Sequence, residues 1–191
     1  MKPGLLSLLL ICFYACNRPA VPTVIIETER GNVVVELYPE KAPVTVANFL
    51  RFVEDQTYSG ACFYRVVRMD NQPDNDVKIE VIQGGLKEDE LVEKYPAIMH
   101  ETTRETGLKH RDGTLSMARM EPGTASTEFF ICVGEQPELD FGGQRNPDGQ
   151  GFAAFGKVVK GMEVVREIQQ GNDDGQLLQR PIRIIGMTLE K

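Results

Sequence analysis

Arg65 sits in "CFYRVV", residues 62–67, where a charged side chain stands among aromatic and β-branched neighbours. In a strand, such an arginine either alternates out to solvent or is held at a concave site with its stem packed. Taken alone, Arg65 reads as solvent-facing. Gln83 precedes two glycines in "IQGG", and Phe129 and Phe130 open "FFICVG" directly after the small and polar run "EPGTASTE". If strand alternation holds, the two phenylalanines face opposite sides, one into the core and one toward a ligand.

Hydrolytic and metal chemistry find little support. The only histidines are His100 and His110, ten residues apart with Glu101 and Glu105 between them, and no Cys/His set accompanies them. They read as structural or solvent-facing. Ser116 and Ser126 lack the Gly-x-Ser-x-Gly setting of an exposed nucleophile. The glycine-rich "DFGGQRNPDGQGF" has no Gly-Lys-Ser/Thr and opens no helix, so it reads as a long surface loop rather than a phosphate cradle.

The elements that must position these residues are mostly strands. "VPTVIIETERGNVVVELY" reads as a hairpin turning at Glu29-Arg30-Gly31-Asn32. "KAPVTVANFLRFVED" puts Val46, Phe49, Leu50 and Val53 at helical spacing, with Pro43 suited to the first turn. Short β-rich runs follow: "CFYRVV", "KIEVIQ", "PAIMHE", "GTLSMA", "EFFICV", "GFAAFGKVV" and "PIRIIGMTLE". Only "GMEVVREIQQ", with Met162, Val165, Ile168 and Gln169 on one side, reads as a second helix, and the acidic "LKEDELVEK" reads as solvated surface. About eight strands and two helices suggest a closed antiparallel barrel, because closure removes exposed edges.

The order of these segments resembles the cyclophilin family of peptidyl-prolyl cis-trans isomerases. "FYRVV", "IQGG", "GLKHRDGTLSMAR", "STEFFI" and "FAAFGKVVKGMEVV" occur in that family's order over nearly the whole chain after Val24. The resemblance implies a mainly β fold, an eight-stranded closed antiparallel β-barrel capped by two α-helices. It also implies catalysis of rotation about X-Pro bonds in proline-containing polypeptides, with no cofactor and no metal. Arg65 falls at the family's catalytic arginine and Gln83 at the glutamine that orients it. Phe130 falls at the floor of the proline pocket, and Leu139, Phe152, Val81 and Ala118 at further positions lining the groove. The chain departs from the family's pattern in four places. Glu80 stands where Phe is usual, Glu128 replaces a common Gln, Glu138 takes the place of a Trp that contacts cyclosporin, and Phe152 replaces a His. A Glu80 carboxylate close to Arg65 could pair with it and compete for substrate. A proline-peptide binding module or holdase that turns over weakly is the alternative reading.

The segment "RMDNQPDNDVK", residues 68–78, is longer than the usual connection and reads as a surface insertion that could border the groove. Residues 1–15 read as a signal peptide: Lys2, then an apolar run from Leu5 to Ala15 that is shorter than the ~20 residues a membrane-spanning helix needs. Cys16 after Ala15 resembles a lipoprotein processing site, so residues 16–22 would be a short tether and 23–191 one isomerase domain. The expected place is the periplasmic side of a bacterial cell envelope, on a membrane only through that lipid anchor, as a monomer. Cys62 and Cys132 lie in strand-like runs and read as free thiols. A net charge of −7 with no Lys/Arg-rich run gives no footprint for nucleic acid.

Overall fold

The computed structural model describes residues 21–190, so the signal peptide and Cys16 lie outside the described residues. The first hairpin forms as expected from β1 (Thr23–Thr28) and β2 (Gly31–Leu37). Next come α1 (Pro43–Glu54), β3 (Cys62–Val67), β4 (Val81–Gly85), the single turns α2 (Asp89–Val92) and α3 (Thr103–Thr106), β5 (Thr114–Met117) and β6 (Phe129–Cys132). A 3-10 turn at Pro137–Leu139 leads to β7 (Ala153–Lys160), α4 (Met162–Gln169), the two-residue β8 (Asp173–Asp174) and the long β9 (Leu177–Glu190).

Every pairing is antiparallel, in the order β1-β2-β7-β5-β6-β4-β3-β9, and β9 returns to β1 to close an eight-stranded barrel, with β8 attached at the side. Closure leaves no free edge along the ring. The barrel interior is apolar throughout. Val24 and Ile26 of β1, Val33, Val35 and Leu37 of β2, Phe63, Leu115, Phe129, Ile131 and Phe155 are all fully buried. Phe49 of α1 plugs one end, its ring centroid 5.6 Å from Phe129 and 5.1 Å from Phe155. On the other long helix, Val165 and Ile168 bury, as the spacing requires. In α1 the buried face includes Phe52, while Leu50 is only partly covered.

Two departures from the sequence reading are instructive. "PAIMHE" forms no strand, and Met99 within it is 71 % exposed. Its last residue, Glu101, instead accepts from the backbone N–H groups of Val44 and Thr45 at 3.1 and 2.8 Å. The first turn of α1 has no side-chain cap of its own, so this distant carboxylate answers its orphan donors. Secondly, α3 exists because Thr102 and Glu105 form a reciprocal capping box and Gly107 closes the turn at φ 69°. That signature was present in "TTRETG" and is easily lost in so short a segment.

Candidate active site

The side chains singled out in the sequence lie along one row of the barrel. In the sheet register Arg65 stands opposite Gln83, Gln83 opposite Phe130, and Phe130 opposite Ser116. Three consecutive strand pairings thus bring together residues scattered over about a third of the chain. They face outward. Phe129 points into the barrel among Phe49, Tyr58 and Phe63, whereas Phe130 joins a separate outer cluster with Val67, Ile79, Val81, Cys132 and Leu139.

Simple alternation would have put Arg65 on the same side as Phe63, inside the barrel. A bulge in β3 between Phe63 and Arg65 breaks both of that strand's registers. Phe63 stays in the core, Tyr64 and Arg65 both turn outward, and Val66 returns to the core. One extra residue therefore re-aims the guanidinium, which is what such bulges do beside functional sites.

Arg65 is then held from two sides. Its Nη1 donates to Gln83 Oε1 at 2.9 Å, and its Nε and Nη2 donate to Gln176 Oε1 at 3.1 and 2.6 Å. These contacts use three of the five N–H donors of a guanidinium and leave two for a ligand. The Gln83 amide is itself oriented, because its Nε2 donates to Tyr64 Oη at 2.8 Å and Tyr64 in turn donates to Glu128 Oε2. Glu128 Oε1 accepts from the Leu86 backbone at 2.7 Å. A directed chain, Arg65 to Gln83 to Tyr64 to Glu128, runs away from the groove.

Burial sets the electrostatics of this chain. Desolvation pulls the Arg65 guanidinium below its ordinary range, with Tyr64 opposing the shift. Desolvation, then the Glu128 charge, drives the Tyr64 phenol up, so it keeps its proton and acts as donor. Burial also raises the Glu128 carboxyl, against the pull of its hydrogen bonds to Tyr64 and the backbone.

Gln176 was not foreseen. It occupies the turn between β8 and β9 at φ 79°, an uncommon conformation for a non-glycine residue, and its Nε2 donates to the Asn71 carbonyl at 3.1 Å. Its backbone N–H reaches Asp173 Oδ2, which also accepts from Asn71, and Arg68 pairs with the same carboxylate. The insertion at 68–78 and the β8–β9 turn thus buttress Arg65 together. Only the preceding Gly175 and two aspartates, a turn signal, mark the spot in the sequence.

The apolar half of the site is a pocket of roughly 250 Å³ beside Arg65 and Gln83, whose walls include Val81, Ala118, Phe130, Leu139 and Phe152. All seven residues named from the sequence therefore meet in one groove. Phe130 and Phe152 pack edge to face at 5.4 Å, and the buried His110 ring stacks behind Phe130 at 5.9 Å. His110 Nδ1 donates to Asp140 Oδ1 at 2.8 Å and Nε2 accepts from Ser116 Oγ at 2.9 Å. The line Asp140–His110–Ser116 has the order of a hydrolase triad, yet Ser116 is 0 % exposed beside Phe130 in the strand register, and His110 stacks on the Phe130 ring. It is a strut under the pocket floor.

The acidic departures fall differently from expectation. Glu80 makes no ion pair with Arg65; Ile79, not Glu80, lines the pocket, and the Glu80 backbone N–H donates to Gln136 Oε1 at 3.1 Å. Strand parity explains this, since Val81 and Gln83 take the groove side of β4. Glu128 lies behind the groove as an acceptor, and Glu138 is half-buried with its carboxylate accepting from the Gln144 backbone N–H at 2.9 Å. Cys62 and Cys132 are both free.

The family model described as cyclophilin type peptidyl-prolyl cis-trans isomerase/CLD matches residues 23–189. This chain belongs to that family. Like its fellow members it is a peptidyl-prolyl cis-trans isomerase. A peptidyl-prolyl cis-trans isomerase of Acinetobacter baylyi is 38 % identical over 143 residues, covering 74 % of this chain and 69 % of the relative. The Escherichia coli peptidyl-prolyl cis-trans isomerase B is 34 % identical over 143 residues, 74 % of this chain and 80 % of the relative. A probable peptidyl-prolyl cis-trans isomerase of Brucella suis is 31 % identical over 173 residues, 88 % of this chain and 82 % of the relative. The fold is also that of a Cryptosporidium parvum cyclophilin type peptidyl-prolyl cis-trans isomerase, at TM-score 0.72 and 22 % identity over 90 % of this chain and 99 % of that one. The same Cryptosporidium protein solved in the presence of the dipeptide Ala-Pro superposes at TM-score 0.70 with 23 % identity, covering 88 % of this chain and 99 % of that one.

Proposed function

We propose that the groove between Arg65 and Phe152 binds X-Pro segments of secreted polypeptides and accelerates their cis-trans exchange at the bacterial cell envelope. The observation that carries this reading is the row Arg65, Gln83, Phe130, which sets a buttressed cation directly beside an apolar pocket of ring size. Rotation about a peptide bond is opposed by amide resonance, a barrier of about 18–20 kcal/mol. In the twisted transition state the prolyl nitrogen regains a lone pair. A guanidinium aimed at it interacts more strongly there than with the planar ground state, and only such differential stabilisation raises the rate. Phe130, Leu139 and Phe152 hold the ring while the preceding carbonyl turns. Because Arg65 is pinned by Gln83 and Gln176 before substrate arrives, little reorganisation remains for the reaction itself.

The envelope address rests on residues 1–16: Lys2, the apolar run to Ala15, and Cys16 as the lipid-bearing N-terminus of the mature chain, which would work as a monomer. Metabolic labelling with a fatty-acid analogue should mark the full chain and spare Cys16→Ala; equal labelling of both removes the anchor. For the chemistry, cis-trans exchange of an X-Pro peptide is measured by NMR with a protein starting after Cys16. Acceleration by wild type, greatly reduced in folded Arg65→Ala, is the expected result. Peptide shifts without acceleration, across several residues before proline, would replace the enzyme with a binding module.

A further inference from the structure

Three arginines line the groove, and only one of them is neutralised. Arg119 lies over the Phe152 ring and is fully engaged: it grips Asp148 with two nitrogens at 2.8 and 3.0 Å and donates to the Gly151 carbonyl. Arg65 and Arg145 take part in none of the ion pairs among the described residues. For Arg65 the two glutamines stand where a carboxylate could have stood. Arg145 is unanswered in a more specific way.

Only one of its guanidinium nitrogens is anchored. Nη1 donates to Gln72 Oε1 at 2.9 Å and to the Val77 carbonyl at 2.7 Å, which uses both of that nitrogen's hydrogens. Gln72 is 1 % exposed and is locked in turn by its own Nε2, which donates to the Arg68 and Ile79 carbonyls. The loop carrying Arg145 is tied as well: the Arg145 backbone N–H donates to the Glu138 carbonyl at 3.1 Å, and Gly142 to Gly149 at 2.8 Å. What remains without a partner among the described residues is the Nε–Nη2 edge, the side whose two N–H groups match the oxygens of a carboxylate. Burial, and then the Arg65 charge, hold the Arg145 guanidinium below its ordinary range, and both guanidiniums line the same pocket. Placing like charges together at a binding site costs free energy that an incoming anion recovers.

We infer that Arg145, seated by the 68–78 insertion, forms with Arg65 a subsite for a carboxylate that the peptide carries close to its proline, making acidic substrates the preferred ones. The inference rests on reading the groove as the proline-peptide site. It gives the insertion a purpose, since Gln72 and Val77 belong to it and hold the arginine at the rim. The preference has to arise locally, because the chain's net charge of −7 repels anions at long range. Beyond a Debye length of about 8 Å that repulsion is screened in physiological salt.

The test is a set of amidated proline peptides with a single Glu, Gln or Lys placed either before or after the proline. A further pair ends two residues past the proline in a free carboxylate or an amide. NMR exchange and titration give rate and Kd for each from the same samples. Wild type should favour Glu over Gln by about tenfold at one of the two positions, or the free carboxylate over the amide, and disfavour Lys. In Arg145→Gln that ratio should collapse toward one. Arg30→Gln, which removes the same charge from a distant face where Arg30 pairs with Glu167, should keep it. Equal handling of Glu, Gln and Lys by wild type, with isomerisation intact, overturns the subsite and leaves the isomerase reading standing. Selectivity that survives in Arg145→Gln also overturns it. Should no peptide be accelerated, the isomerase reading falls, and the Glu-to-Gln ratio in Kd still decides the subsite.

Discussion

Gln176→Gly separates positioning from folding at this site. The side chain supplies one oxygen to two donors of Arg65 and one N–H to Asn71, while its backbone sits at φ 79°. A non-glycine residue in the left-handed region is strained by about 1 kcal/mol, and glycine relieves that strain. Glycine also loosens the unfolded chain, by about 0.4–1 kcal/mol in the opposite direction. The two backbone terms nearly cancel, so the melting temperature should move by only a few degrees. A hydrogen bond to a charged group contributes about 1.5–3 kcal/mol. Arg65 is only partly buried and water can replace part of the contact, so the lower figure applies. At about 1.4 kcal/mol per factor of ten, kcat/KM should fall roughly tenfold. The loss should appear in kcat with KM little changed, because the arginine is needed most where the amide is twisted. Gln176→Asn should behave alike: asparagine accepts the left-handed backbone but is one methylene too short to reach. Exchange measured by NMR, alongside thermal melts, gives both readouts. A folded Gln176→Gly with activity within twofold of wild type would show that Gln83 alone positions Arg65.

Phe129→Ala and Phe130→Ala form a matched pair on opposite faces of β6. Each should cost about 3–5 kcal/mol of stability in denaturant melts. Only Phe130→Ala should also weaken peptide binding per folded molecule; equal loss in both would deny Phe130 a special place. The strut beneath the pocket predicts a pH dependence. Burial depresses the His110 pKa below 6.5 despite the Asp140 hydrogen bond. Below pH 6.5 the unfolded chain takes up a proton that the folded chain refuses, so stability is full above that pH. It falls as pH drops toward the folded value, with a slope of at most about 1.4 kcal/mol per pH unit from this group. Asp140 lies below its ordinary 3.8, because its bonds to His110 outweigh burial, and adds a second loss under that pH. Urea unfolding from pH 7.5 to 5 should show a shallower slope in His110→Asn than in wild type; identical slopes would remove His110 from the account.

How far the sequence reveals this site depends on whether a residue's surroundings are local. Arg65 and Gln83 are visible because each is a polar side chain in an apolar run of its own strand. Phe130 takes its place only through the family order of the motifs, and the row that joins them follows once the barrel closes in register. The barrel's strands were legible for the same reason, since alternation and turn residues are read within a few positions. "PAIMHE" misled because its apolar residues mimic a strand, while Glu101 at its end serves a helix 57 residues away. Gln176 reaches Arg65 across 111 positions, and Arg145 reaches Gln72 across 73. No window along the chain connects such pairs.

The bulge at Tyr64 is the subtler case, because parity and not distance hides it. Counting from Phe63 by twos puts Arg65 in the core, and counting from Val67 by twos puts it outside. "CFYRVV" supports both counts until an extra residue is inserted in the register. Chemistry resolves the tie. A guanidinium in the barrel interior would need a carboxylate, and the wall there is apolar throughout: Phe63, Val66, Ile82 and Phe129. Outside, Gln83 and Gln176 satisfy three of its donors and leave the charge unneutralised for substrate. The cost of burying an unpaired arginine therefore selects the bulge, and the bulge gives the groove its cation.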